Sequence, residues 1–166
     1  MHVSSMQIGN QLKKVLFSIY LILLILFVSM KFNGSFRELW IHAAFVRENR
    51  VQGNLNANFD LFSTIKVYLR LRNVNPIYLW NLVGNIVPFI PMGTFEGMLR
   101  KRKNLVMNFL ATMWHCLFII LLIEVVQLIT GLGYFDVDDI LLNMIGCVMG
   151  YCFYIPFHKF QKKILP

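Results

Sequence analysis

Four stretches of the chain contain no Asp, Glu, Lys or Arg: Val15 to Met30, Asn73 to Phe95, Asn104 to Ile123 and Ile140 to Phe157. A helix needs about 20 apolar residues to cross the hydrocarbon of a bilayer. The pattern therefore predicts an all-α polytopic membrane protein, a small bundle of four transmembrane helices. The first run is the shortest, but Lys13, Lys14 and Lys31 flank it, and lysine stems can reach back to the interface from a short span. No small-x-small site follows at Val28-Ser29-Met30-Lys31, so this run is read as an uncleaved anchor rather than a signal peptide. Five segments result: an amino-terminal segment 1–14, the anchor 15–30, a long first loop 31–75, a three-helix core 76–157 and a basic tail 158–166.

Within loop one, Phe36, Trp40, Ala43 and Ala44 recur at helical spacing, as do Leu61, Ile65, Tyr68 and Leu69, each set interleaved with Arg, Lys or Glu. Such basic amphipathic segments rest at headgroup level, so two short interfacial helices are expected. Gly53 and Asn54 to Asn58 between them read as a loop.

Charge refines this picture. Only 14% of the 166 residues are charged, against about 25% in an ordinary soluble domain. The net charge of +8 suits anionic lipid rather than nucleic acid once the chain is placed in a membrane. Lys13 and Lys14, the four residues Arg100 to Lys103 in the loop from Glu96 to Lys103, and Lys159, Lys162 and Lys163 make nine basic residues in three short segments, while the turn before Ile140 has Asp136, Asp138 and Asp139 and no basic residue. Basic short segments stay cytoplasmic, so both termini are expected inside, with loop one and the aspartate turn outside. Cys116, Cys147 and Cys152 all lie in apolar runs and are read as small buried hydrophobes. No cofactor is implied.

The polar residues of the later helices are the candidate chemistry. Asn81 and Asn85 share a helix face. Pro88 and Pro91 then break the helix and free the carbonyls of Gly84 and Val87, either for a simple kink or for a partner inside the bundle. Glu124 lies about 28 Å along the third helix, with Gln127 on the same face. The pair is either a solvated helix end or an inward-facing site. One of Asp136, Asp138 and Asp139 should cap the fourth helix, which leaves two unexplained. Asp139, Asn143, Gly146 and Gly150 form one stripe suited to close helix packing. Because lipid-facing polar groups are costly, Asn81, Asn85, Glu124, Gln127, Asp139 and Asn143 are expected to converge.

Three blocks of this sequence resemble the signature of the VanZ-like membrane proteins: Asn81-Leu-Val-Gly84-Asn85-Ile-Val-Pro88-Phe89-Ile-Pro91-Met-Gly93, Glu124-Val-Val-Gln127, and Phe135-Asp136-Val-Asp138-Asp139-Ile-Leu-Leu-Asn143-Met-Ile-Gly146. The resemblance runs from Asn81 to Tyr151. Asn58 to Ile65 weakly resembles an Asn-Leu-Ile-Pro-Phe segment common ahead of these blocks, without its proline, and Leu132 stands where many members carry Arg. The family is named for a bacterial protein associated with low-level resistance to teicoplanin-type glycopeptides. The resemblance implies a protein of the bacterial cytoplasmic membrane, acting at the cell envelope on a surface lipid, a lipid-anchored precursor or a glycopeptide.

Two other readings stay open. A metal-dependent enzyme acting on lipid-linked phosphate would use Asp136, Asp138 and Asp139 to hold Mg2+, because hard cations favour carboxylate oxygens. A proton-coupled carrier would use Glu124 with Asp139.

Overall fold

The computed structural model describes residues 2–30, 35–100 and 104–164. Lys31, Lys101, Arg102 and Lys103, on which part of the orientation argument rests, lie outside the described residues. Seven helices are present among those described: α1 (His2–Met30), α2 (Phe36–Val51), α3 (Ser63–Leu71), α4 (Ile77–Ile86), α5 (Ile90–Leu99), α6 (Leu105–Thr130) and α7 (Val137–Ile164). Four segments are long and apolar enough to cross a membrane: Gln11–Val28, Ile77–Leu99, Leu105–Thr130 and Val137–His158. The fold is an all-α polytopic membrane bundle, and the two remaining helices, α2 and α3, belong to loop one.

The second span is built from two helices. Val87–Phe89 forms a single 3-10 turn between α4 and α5, because Pro88 and Pro91 cannot donate to the α-helical ladder. The freed Val87 carbonyl is satisfied locally by the Ile90 N–H. The carbonyl that recruits a side chain is that of Pro88, which accepts from the Tyr20 hydroxyl at 2.6 Å and so ties α1 to the kink. The sequence points to Gly84 and Val87 instead; tightening the turn to 3-10 geometry moves the demand along the chain.

The core forms where α5 lies against α7, with α6 alongside and α1 against α5. Gly146 and Gly150 let the backbones approach. A Cβ at Gly146 would overlap the Ile86 carbonyl oxygen, one at Gly150 the Ile90 carbonyl oxygen, and one at Gly93 the Cys147 carbonyl oxygen. This is the close contact that small residues permit in membrane helices. The packed interior contains Phe17, Leu24, Phe89, Met92, Cys116, Ile120 and Cys147. Cys152, expected to be buried, is instead exposed, since it sits on the face of α7 away from α5.

The α6 helix shows how these spans divide their faces. Trp114, Phe118, Leu122 and Ile129 are exposed, as residues facing acyl chains should be. Asn108, Thr112, Cys116, Ile120 and Glu124, spaced four apart, are buried. The inward stripe is polar at both ends and apolar in the middle, and each polar end belongs to a separate cluster.

Loop one is folded down onto the bundle. The α2 helix buries Leu39, Ala43 and Val46, while Trp40 and Ala44, expected on its apolar stripe, are exposed. The reason is its neighbour: Val46 lies over Gly131, the left-handed residue that ends α6, where an added Cβ would come within 3.2 Å of Val46. Beyond α2, Ala57 and Asn58 pair in parallel with Phe135 and Asp136. This two-residue bridge joins the segment read as a loop to the aspartate turn, with the rings of Phe59 and Phe135 5.4 Å apart beside it.

Candidate functional site

The aspartate turn and the start of α3 form one cluster at the bundle face that carries loop one. Asp136 precedes α7 and caps it, accepting from the Asp138 N–H at 2.9 Å. Its other oxygen accepts from the Thr64 hydroxyl at 2.6 Å, with the Asn58 amide at 3.4 Å. Asp138 is fully buried. It accepts from the backbone N–H groups of Phe62 at 2.6 Å and Ile65 at 3.1 Å. Because the residue before α3 offers no side-chain cap, the cap for that helix comes from α7. A carboxylate there satisfies unpaired N–H groups and meets the positive end of the helix dipole.

Phe62 is the one non-glycine residue with positive φ (65°) among those described. Holding an aromatic residue in the left-handed region costs free energy, and here it aims the Phe62 N–H at Asp138.

Asp139, the third aspartate, turns toward α4 and accepts from the Asn85 amide. Glu124 is 2% exposed and accepts from the Asp136 N–H at 3.3 Å. Its burial overturns the solvated-helix-end alternative. Gln127 is also buried, packed beside Gly133 so closely that a Cβ there would lie 2.8 Å from its amide nitrogen. Asn81 is reached through Tyr68 of α3, with which it shares a hydrogen bond. Asn143 is buried one turn beyond Asp139, and its Oδ1 has no hydrogen-bond partner among the described residues.

The expected residues thus gather at one end of the bundle, but as linked pairs rather than around a single centre. Asn85 meets Asp139, Glu124 meets the backbone of Asp136, and Asn81 meets Tyr68. The three aspartates point to three different partners, and among the described residues no three His, Cys, Asp or Glu side chains are arranged to hold a metal ion. The Mg2+ arrangement considered from sequence does not fit this geometry.

Electrostatics follow the same layout. The Tyr68 phenol is pushed above its ordinary range, first by burial and then by the negative fields of Asp139, Asp136 and Asp138, while its hydrogen bond with Asn81 works in the other direction. It stays protonated and can donate.

Loop one supplies residues that the sequence reading does not count among the site: Asn56, Asn58, Thr64 and Tyr68, together with Arg50. Asn56 is buried and donates to the Gly133 carbonyl at 2.7 Å, while its own carbonyl accepts from the Phe135 N–H. Arg50 donates to Asn56 Oδ1 and to the carbonyls of Leu128 and Ile129. A guanidinium therefore reaches the end of α6 from α2, where Leu132 of the turn has none to offer. The weak likeness of Asn58 to Ile65 to a segment of the VanZ-like proteins is the signal that pointed toward this stretch.

A second polar cluster lies at the other end of α6. Glu96, counted from sequence with the basic connection after the second span, is instead 3% exposed within α5. Its carboxylate meets His115 Nδ1 at 2.8 Å and Arg100 Nε at 3.3 Å. Neither nitrogen is aligned as a directed hydrogen bond, so the contacts are chiefly electrostatic. Asn108 beneath them donates to the Arg100 carbonyl at 2.6 Å. The four-residue spacing of Asn108, Thr112 and Cys116 with Glu124 was the available signal for an inward polar stripe.

No curated protein and no solved structure matches this chain. A family model described as VanZ/LLP1 does match, over residues 17–159, and with the signature residues gathered at one end of a four-span bundle, the chain belongs to the VanZ/LLP1 family.

Proposed function

We propose that this VanZ-like membrane protein acts at the bacterial cell envelope and lowers susceptibility to teicoplanin-type glycopeptides, by binding a lipid-anchored compound or precursor or by altering its display at the membrane surface. One observation carries the reading: carboxylates from α6 and α7 gather beneath loop one, where the membrane helices end. An acid-rich site at that level is placed to meet polar groups of a membrane-anchored molecule. The contrast between nine basic residues on the terminal side and none in the aspartate turn supports cytoplasmic termini and an outward-facing site.

The test is expression in a susceptible bacterium, with inhibitory concentrations measured for a lipid-tailed glycopeptide and for one without the tail. Wild type should raise the first more than the second. Asp139→Asn and Asn85→Ala should abolish the effect at normal membrane abundance, whereas an effect retained by both variants would refute the site. If wild type leaves both concentrations unchanged, the resistance reading fails.

A further inference from the structure

At the loop-one end of α6 lies an open groove of about 300 Å³, lined by Leu55, Ala57, Phe59, Leu128 and Ile129, with Arg50 at its rim. Leu55 is 72% exposed, Phe59 66% and Ile129 69%, so the groove is apolar surface that the fold itself does not cover. Contiguous apolar surface of this kind marks a binding or membrane-contact site. It sits where a membrane helix ends, the level at which lipid headgroups give way to acyl chains.

Arg50 supplies the second element. Its guanidinium donates to Asn56 Oδ1 through Nε and Nη2, to the Leu128 carbonyl through Nη2 and to the Ile129 carbonyl through Nη1. All of these acceptors are neutral. They fix the guanidinium in place without cancelling its charge, and one of its five N–H groups, on Nη1, is not engaged in them. Arg47 is exposed one turn earlier on α2, and loop one as a whole carries seven Lys and Arg against Glu38, Glu48 and Asp60. A positioned cation beside an uncovered apolar groove is complementary to an amphiphile with an anionic phosphate head.

We propose that this groove is a binding site for an anionic phospholipid, one acyl chain lying against Leu55, Phe59 and Ile129 and the phosphate accepting from Arg50. The site is separate from the aspartate cluster and does not depend on the glycopeptide reading. Because Arg50 also caps α6 and orders Asn56, a lipid held there covers the segment that latches loop one to the aspartate turn.

The experiment is native mass spectrometry of the full-length protein in detergent, with phosphatidylglycerol and phosphatidylcholine offered at equal concentration. Wild type should retain phosphatidylglycerol about tenfold in preference. Leu55→Glu and Ile129→Gln alter exposed groove residues, so they should melt like wild type while losing that preference. Arg50→Gln should lose it as well; if Arg50→Gln fails to fold, the two groove variants decide the matter. Equal retention of the two lipids by wild type overturns the proposal, as does undiminished phosphatidylglycerol binding in Leu55→Glu and Ile129→Gln. A lipid-free dimer as the dominant species would assign the groove to a second copy of the chain and likewise overturn it.

Discussion

The two ends of α6 each lie beside buried carboxylates, Asp136 and Asp138 at one and Glu96 at the other, and these are held by different means. At the loop-one end, Asp136 and Asp138 are held by neutral donors: a hydroxyl, a side-chain amide and backbone N–H groups of a helix start. At the terminal end, Glu96 is held by an arginine and a histidine. Neutral donors satisfy a carboxylate without bringing an opposing charge to it; burial first, and then the fields of Asp139, Asp136 and Asp138, raise the proton affinity of Tyr68. The Arg100 guanidinium offsets the Glu96 charge locally. In the first arrangement the partners are dipoles, whereas in the second a guanidinium closes on the carboxylate.

The largest expected effect breaks this comparison directly. Asp138→Ala removes the cap of α3 and orphans two backbone N–H groups, and hydrogen bonds to a charged group are worth about 1.5 to 3 kcal/mol each. A loss of about 3 kcal/mol is expected in thermal unfolding, together with faster proteolysis around Phe59 to Phe62. Glu96→Gln should cost about 1 kcal/mol or less, because Arg100 and His115 are partly exposed, with side chains 25% and 45% accessible, and ion pairs reached by solvent contribute little. Equal losses in the two variants would mean that the clusters do not differ in the way described.

A change in the α5–α7 seam should be felt at the loop-one cluster. Gly150 packs on the Ile90 carbonyl, and overpacking a tight interface costs about 1 to 3 kcal/mol. Gly150→Ala should therefore lower the melting temperature and also weaken the Asn85–Asp139 contact, readable as faster hydrogen exchange at the start of α7. Destabilisation without that local change would show that the α5–α7 seam and the aspartate site are uncoupled.

A smaller effect sharpens the electrostatic half of the comparison. Since the folded state raises the Tyr68 pKa, it binds more protons than the unfolded chain once pH exceeds about 10, the ordinary tyrosine value. The Tyr68 contribution to stability is intact below that pH and declines as pH rises above it. Tyr68→Phe should flatten this loss in a pH series of unfolding measurements, and identical slopes would argue against a raised Tyr68 pKa in the folded state. The smallest effect is expected from Cys152→Ala, on an exposed face remote from both clusters, within about 0.5 kcal/mol of wild type.

Much of this was legible along the chain. The uncharged runs gave the four spans, and the Asp139, Asn143, Gly146 and Gly150 stripe gave the face of α7 that meets α4 and α5. The likeness from Asn81 to Tyr151 located most of the aspartate site. Less legible were residues whose partners are far away in sequence. Asn58 and Thr64 look like ordinary turn residues until they meet Asp136, 78 and 72 positions later. Glu96 reads as part of a basic connection because arginines and lysines follow it, but one more turn of α5 carries it into the interior. On α2, Trp40 looked like an anchor of the apolar stripe, and Val46 became the packed residue because Gly131 lies beneath it.

By itself, the sequence determined what local periodicity and chain length can impose: the number of spans, where proline interrupts the second, and which helix faces are small or polar. Those features follow from the cost of placing charge in hydrocarbon and from the geometry of a single helix. The tertiary structure alone decided which carboxylate caps which helix, that α3 would borrow its cap from Asp138, and that Arg50 would close the end of α6. The last two of those choices join groups more than 70 residues apart. A buried polar group must be paired, but the requirement does not name its partner. Only the packing that brings two segments together does so.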